Sequence, residues 1–174
     1  MKFFRTAALF AAIAFTAVHP SQAANAADNV GTVTKLPIPR FVSLRASQTN
    51  LREGPSVDHR ISWVFKRAGQ PVEIIAEFDI WRRVRDSDGT EGWVMSRVVS
   101  SRRTAVVAPW SKDPSMPLYD NDSEKGQVVA RLQPNVLTNI EECTGKWCHV
   151  RGDGFNGWIQ QEKLWGAYPG EKFK

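Results

Sequence analysis

The residues of this chain best equipped for chemistry are tryptophans set beside arginines, and they are suited to holding a ligand rather than transforming one. Two stretches carry them: Trp81-Arg82-Arg83-Val84-Arg85 followed by Trp93, and Trp147-Cys148-His149-Val150 followed by Trp158. An indole face packs on sugar or peptide planes, while a guanidinium stacks on a ring or grips a carboxylate through two hydrogen bonds. In a strand, successive side chains point to opposite faces. Trp81, Arg83 and Arg85 then share one face and Arg82 and Val84 the other. A core-facing Val84 leaves Trp81 outside, and the same parity separates Trp147 from Val150 and Trp93 from Val94. Trp81, Arg83, Arg85, Trp93, Trp147 and Trp158 are therefore the expected ligand-binding residues, with Arg82 as a further group for the carboxylates of an acidic peptide. A bulge at the strand start would instead turn Trp81 inward as a core plug, and the sequence leaves both arrangements open.

Nothing comparable equips the chain for turnover. Of three histidines, His19 lies in the N-terminal apolar segment, His59 in an expected loop and His149 beside Cys148 on an expected strand. A cysteine hydrolase needs a free thiolate, a histidine base and an orienting group. The two cysteines, Cys143 and Cys148, flank Thr144-Gly145-Lys146-Trp147. That spacing suits a disulfide across a tight hairpin and lacks the Cys-x-x-Cys form of redox and zinc sites. Asp120-Asn121-Asp122-Ser123-Glu124 has the outline of a calcium loop, but Lys125 stands where glycine is required and Arg131 where the bidentate acid belongs. Arg151-Gly152-Asp153 spells an adhesion tripeptide at a point where the Asp153-Gly154 turn accounts for it. No catalytic residue, metal site or cofactor is expected, and the chain reads as a non-enzyme.

The landmarks come twice, and the repetition identifies the elements that position them. Trp81 and Trp147 are 66 residues apart, Trp93 and Trp158 are 65, and Leu51 and Leu118 are 67; Asp88-Gly89 and Asp153-Gly154 sit between the paired tryptophans. Such regularity points to duplicated small domains. Runs rich in Val, Ile and aromatics at 61–65, 72–78, 81–85, 92–94, 106–110, 128–132, 136–140, 148–151 and 157–159 read as strands between turn clusters such as Gly54-Pro55 and Gly69-Gln70-Pro71. No window sustains a 3.6-residue apolar stripe, so the fold class is all-β. Trp63, Phe65 and Phe78 are expected to fill much of the first core. Trp110, Tyr119, Trp165 and Tyr168 either line a groove by the second module or, for Trp165-Gly166-Ala167-Tyr168-Pro169, fold back over the barrel end.

Lys2 and Arg5 precede an apolar run, 7–18, too short to span a bilayer, and Ser21-Gln22-Ala23 offers small residues for cleavage. The expected organisation is a signal peptide at 1–23, a flexible leader at 24–40, a first module at 41–103 and a second at 104–174 with a C-terminal extension. The brief connection Ser100-Ser101-Arg102-Arg103 places the modules in contact. Cleavage leaves 21 basic against 18 acidic residues, so the net charge falls from +5 to +3. That excess is too small and dispersed for nucleic acid. A periplasmic or secreted protein with no integral span after cleavage is expected.

Asn50-Leu51-Arg52-Glu53-Gly54-Pro55-Ser56, then Trp81-x-x-Val84, then Gly92-Trp93-Val94 resembles bacterial SH3-like (SH3b) domains, in which an N-(V/L)-R-x-G-P segment precedes a W-x-x-V strand and a closing G-W-V strand. The second half is similar, with Leu118-Tyr119 in place of the opening signature and the two-tryptophan hairpin intact. The resemblance covers residues 41 to 165 as two tandem modules and implies small, strongly bent antiparallel barrels. It further implies binding of cell-wall peptides or glycans, or of other proteins. Such modules are often fused to wall hydrolases, and no fused catalytic domain is expected here. Peptidoglycan stem peptides are the leading partner, and an envelope protein docked as an extended segment is the alternative.

Overall fold

The structure, a computed structural model, describes residues 29–174. The expected signal peptide, 1–23, lies outside the described residues. Short alternating apolar runs closed by glycine and proline turns give β1 (Arg40–Leu44), β2 (Thr49–Arg52), β3 (Ile61–Phe65), β4 (Pro71–Phe78), β5 (Trp81–Arg85), β6 (Glu91–Met95) and β7 (Val99–Ser100). The second half supplies β8 (Thr104–Val107), β9 (Met116–Tyr119), β10 (Val128–Leu132), β11 (Leu137–Thr144), β12 (Trp147–Gly152), β13 (Phe155–Gln160), β14 (Leu164–Trp165) and β15 (Lys172–Phe173). The first sheet runs β3-β2-β6-β5-β4-β1-β7 and the second β10-β9-β13-β12-β11-β8-β14, the same order strand for strand, with β15 added against β11. The helical elements among the described residues are two three-residue 3-10 turns, Ser96–Val98 and Gln161–Lys163. The all-β tandem expectation therefore holds.

Duplication extends to packing and register. Leu51, Ile74, Val84 and Val94 in one core answer to Leu118, Ile140, Val150 and Ile159 in the other. An extra residue interrupts pairing at Ser62 and at Val129, 67 apart, and at Ile75 and at Glu141, 66 apart. A bulge bends its strand and re-aims a side chain, so shared bulges give both sheets the same curvature. Cys143 and Cys148 are cross-strand partners joined by a disulfide that closes the β11–β12 hairpin.

Several expectations are corrected. Trp63 and Phe78 are not core residues: they are 55% and 58% exposed, because Trp63 sits on the edge strand β3 and Phe78 at the tip of the β4–β5 hairpin. Phe65 does pack in the core. The strand expected at 106–110 ends at Val107, since Ala108 takes a left-handed φ of 31° and turns Trp110 off the sheet. The leader is not loose from residue 29 onward. Val30 bridges Pro37, and the intervening turn closes on the buried Glu77 carboxylate, which accepts the amides of Val33 (3.0 Å) and Thr34 (2.8 Å) and the Thr34 hydroxyl (2.6 Å). Arg40 neutralises the same carboxylate at 2.7 Å.

The modules touch along a seam. Phe41 of β1 meets the Trp165 ring edge-on at 4.9 Å and the Tyr168 ring at 4.6 Å between centroids. Tyr168 donates its hydroxyl to Glu73 Oε1 at 2.7 Å, Thr104 donates to the Gly69 carbonyl at 2.8 Å, and Arg67 donates to the Asn135 carbonyl at 3.1 Å. Residues 165–169 therefore pack against the first module rather than simply capping their own barrel.

Candidate functional site

The two-tryptophan hairpins lay a stripe of large side chains across the outer face of each sheet. In the first module Arg83 of β5 is paired with Trp93 of β6, which is paired in turn with Arg52 of β2. In the second the corresponding stripe is His149 of β12, Trp158 of β13 and Tyr119 of β9. Valines 84, 94 and 150 and Ile159 point the other way and are buried. Strand parity thus orders these residues as expected.

The second stripe is an aromatic cluster. His149 lies over Trp158 with centroids 5.1 Å apart, and Tyr119 meets Trp147 edge-on at 5.5 Å. The bulge residue Glu141 reaches across this face, with Oε2 2.9 Å from His149 Nδ1 and Oε1 3.0 Å from Arg151 Nε. That contact orients the imidazole and fixes its stack on Trp158. Beside the cluster, Asp122, Glu124, Lys146, Trp147, Gln160 and Glu162 line an open groove of about 570 Å³. Its polar edges and single indole wall suit the backbone and side chains of an extended ligand.

The first module turns the same positions differently. Trp81 is only 6% exposed, yet it stands outside the core cluster. No bulge in β5 turns it inward, since its pairing with β6 is regular from Trp81 to Arg85. What remains open of it borders a smaller groove of about 360 Å³ that it shares with Asn50, Arg52, Met95 and Arg97. Arg82 is buried, donates to the Asp79 and Trp81 carbonyls at 2.8 Å and stands 3.6 Å from Glu77, so it holds the hairpin tip and is withdrawn from any ligand. Arg83 pairs with Glu91 at 2.8 Å, and Arg85 Nε donates to Glu73 at 3.0 Å. The hydrogen bond and charge of Glu73 hold the Arg85 guanidinium even more firmly protonated than usual.

Of the residues expected to bind ligand, Trp147 and Trp158 fall on one face with Tyr119 and His149, and Trp93 and Arg83 adjoin on the other module. Trp81 is buried, and Arg85 lies at the seam. Glu141, His149, Asp122, Glu124 and Gln160 were not in the expected set. The 66-residue offset, applied to Arg83, leads directly to His149; nothing in the local sequence signals that Glu141 sits on a bulge.

A family model described as the bacterial SH3 domain matches residues 45–101 and again 112–166. The chain belongs to the bacterial SH3 domain family. Both SH3 modules are matched, including the second, whose opening signature is degenerate. A Bacillus subtilis (strain 168) protein, YrvJ, named as an N-acetylmuramoyl-L-alanine amidase, is 21% identical over an alignment of 140 positions that covers 71% of this chain and 27% of that protein. Among solved structures, NlpC1 from Trichomonas vaginalis is similar at 14% identity and a TM-score of 0.33, over 72% of this chain and 45% of that one. An NlpC/P60 family protein from Bacillus cereus ATCC 10987 is similar at 13% identity and a TM-score of 0.32, over 72% and 55%. The tandem SH3 chain spans about a quarter of the amidase and about half of these structures.

Proposed function

We propose that the chain is a noncatalytic exported binding protein whose tandem modules hold cell-envelope material, with peptidoglycan stem peptides as the leading ligand. The observation that carries this reading is the open groove beside Trp147, continuous with the Tyr119–Trp147 pair on the outer face of a bacterial SH3 module. Similarity to a protein named as a wall amidase supports the envelope, and the Lys2 to Ala23 segment supports export. Binding without turnover is supported by the joining of Cys143 to Cys148, which leaves neither sulfur as a thiolate nucleophile. In this reading Trp147 and Trp158 provide the contact surface, Trp93 and Arg83 a weaker one, and Trp81 and Arg85 support the walls.

Retention on purified sacculi tests the proposal. The wild-type protein is expected to pellet with sacculi at low salt, and Trp147→Ala to lose roughly tenfold in affinity, as for an indole at the centre of a contact. No retention at low salt, or unchanged retention of the variant, would overturn it.

A second reading, docking of another envelope protein, is favoured by one feature. The edge strand β3 exposes Ile61 and Trp63, and its counterpart β10 exposes Val128 and Val129. Unpaired apolar edges accept an added strand. A single stoichiometric partner in envelope extracts, without sacculus binding, would favour this reading.

A further inference from the structure

The seam between the modules is itself hollow. Phe41, Trp165 and Tyr168 form its aromatic floor, Trp110 stands beside them with 57% of its surface exposed, and Asp86 and Glu162 mark its edge around a space of about 510 Å³. The residues come from both modules, so neither barrel contains this groove alone. We propose that it binds an extended peptide through a lysine or arginine side chain, with the aliphatic stem on the aromatic floor and the cationic head between Trp110 and the two carboxylates.

Charge decides the sign of the ligand. Glu73 and Arg85 also line the groove but cancel each other through their own hydrogen bond, and the Tyr168 hydroxyl occupies the second oxygen of Glu73. Asp86 remains, and so does Glu162, whose exposed carboxylate has only its sequence neighbour Lys163 as a surface partner at 3.3 Å. Asp86 Oδ1 accepts the amides of Asp88 and Thr90 at 3.0 and 2.8 Å, and no described residue donates to its Oδ2. Glu162 and Pro169 line this groove and the one beside Trp147 alike, so the two adjoin. Across the two grooves five carboxylates (Asp122, Glu124, Glu162, Glu73, Asp86) stand against Lys146, Arg85 and the Lys163 paired with Glu162, an excess of two negative charges in a sequence of net charge +5. An acidic groove walled by indoles in a basic protein attracts a cation from both directions, by Coulomb attraction and by the negative faces of the rings. An acidic peptide, the ligand expected from the arginines alone, meets the wrong charge here.

The test uses the full exported chain and two probes, Ac-Ala-Lys-Ala-NH2 and its norleucine isostere, followed by the indole N–H signals of Trp110 and Trp165 in two-dimensional NMR. The lysine peptide is expected to shift both signals saturably and the norleucine peptide is not. Trp110→Ala and Glu162→Gln, both at exposed positions, are each expected to weaken binding about tenfold. Equal binding of the isostere, unchanged affinity in both variants, or no shift up to about 10 mM peptide would overturn the proposal. The inference does not rest on sacculus binding. Peptide binding without sacculus retention would sink only the envelope reading, and retention without peptide binding only this one.

Discussion

At the scale of single residues, Glu77 shows how one buried carboxylate organises a surface. Burial alone would raise its pKa, but the hydroxyl and amide of Thr34, the Arg40 guanidinium and the Val33 amide outweigh that and hold it at about 2. A carboxyl whose pKa lies lower folded than unfolded contributes stability above its unfolded value near 4.5, and that contribution is lost as pH falls toward 2. The shift corresponds to about 3 kcal/mol. Glu77→Ala should therefore cost about that much at pH 7 and much less at pH 2, read as urea midpoints at the two pH values. A variant equally destabilised at both would show that Glu77 acts through packing. The same site explains why residues 29–39 are ordered although their composition reads as leader: the anchoring group lies more than 40 positions away, where no local pattern can report it.

At the scale of elements, the conserved geometry of the two hairpins rests on glycine and sulfur. Gly157 packs where a Cβ would stand 2.5 Å from the Tyr119 carbonyl oxygen and 3.0 Å from Leu118 Cγ, and Gly92 where it would stand 2.5 Å from Leu51 Cγ. The glycine before each second tryptophan is thus required because β13 lies beside β9, and β6 beside β2, without room for a methyl group. Gly157→Ala should destabilise by roughly 2 kcal/mol, measured by denaturant unfolding, since backbone rather than a pliable side chain must yield. An unchanged midpoint would mean that the strands can separate freely. Replacing Cys143 and Cys148 by serine should lower stability by about 2 kcal/mol, or roughly 10 °C in the melting of a module this small. A change under about 2 °C would make the bridge dispensable. The strands, the repeat and the disulfide were legible because each is written locally, in alternation, turn residues and spacing. The burial of Trp81 and the exposure of Trp63 were not, because they depend on what the barrel's curvature places above them. The bulge at Glu141 was hidden for a related reason: Ile75 and Glu141 occupy the same position with opposite polarity, so no residue type marks the site.

At the scale of the whole molecule, two barrels of one design are joined into a single body through the last ten residues. Arg103, at the junction, grips both oxygens of Glu171 at 2.7 and 2.9 Å, donates to the Gly166 carbonyl at 2.9 Å and stacks over Phe173 at 4.1 Å. Burial would raise the Glu171 pKa, but the Arg103 hydrogen bonds and the Tyr168 amide outweigh this and lower it. The clasp sets Tyr168 where its hydroxyl reaches Glu73 of the other module. Burial first, and then the Glu73 hydrogen bond, push the Tyr168 phenol well above its usual range, so it remains a donor at any ordinary pH. A neutral hydrogen bond contributes about 1 kcal/mol, too little to fold a domain but enough to bias how two folded domains sit. Tyr168→Phe should leave the melting of each barrel within about 2 °C while loosening the seam. In residual dipolar couplings, the wild-type modules should share one alignment frame and the variant's should diverge. Because Trp110 and Tyr168 wall the same groove from different segments, the variant should also weaken lysine-peptide binding while keeping the Trp147 face intact. If the variant keeps one frame and full affinity, the aromatic packing of Phe41 on Trp165 holds the modules alone, and the hydroxyl is incidental to their union.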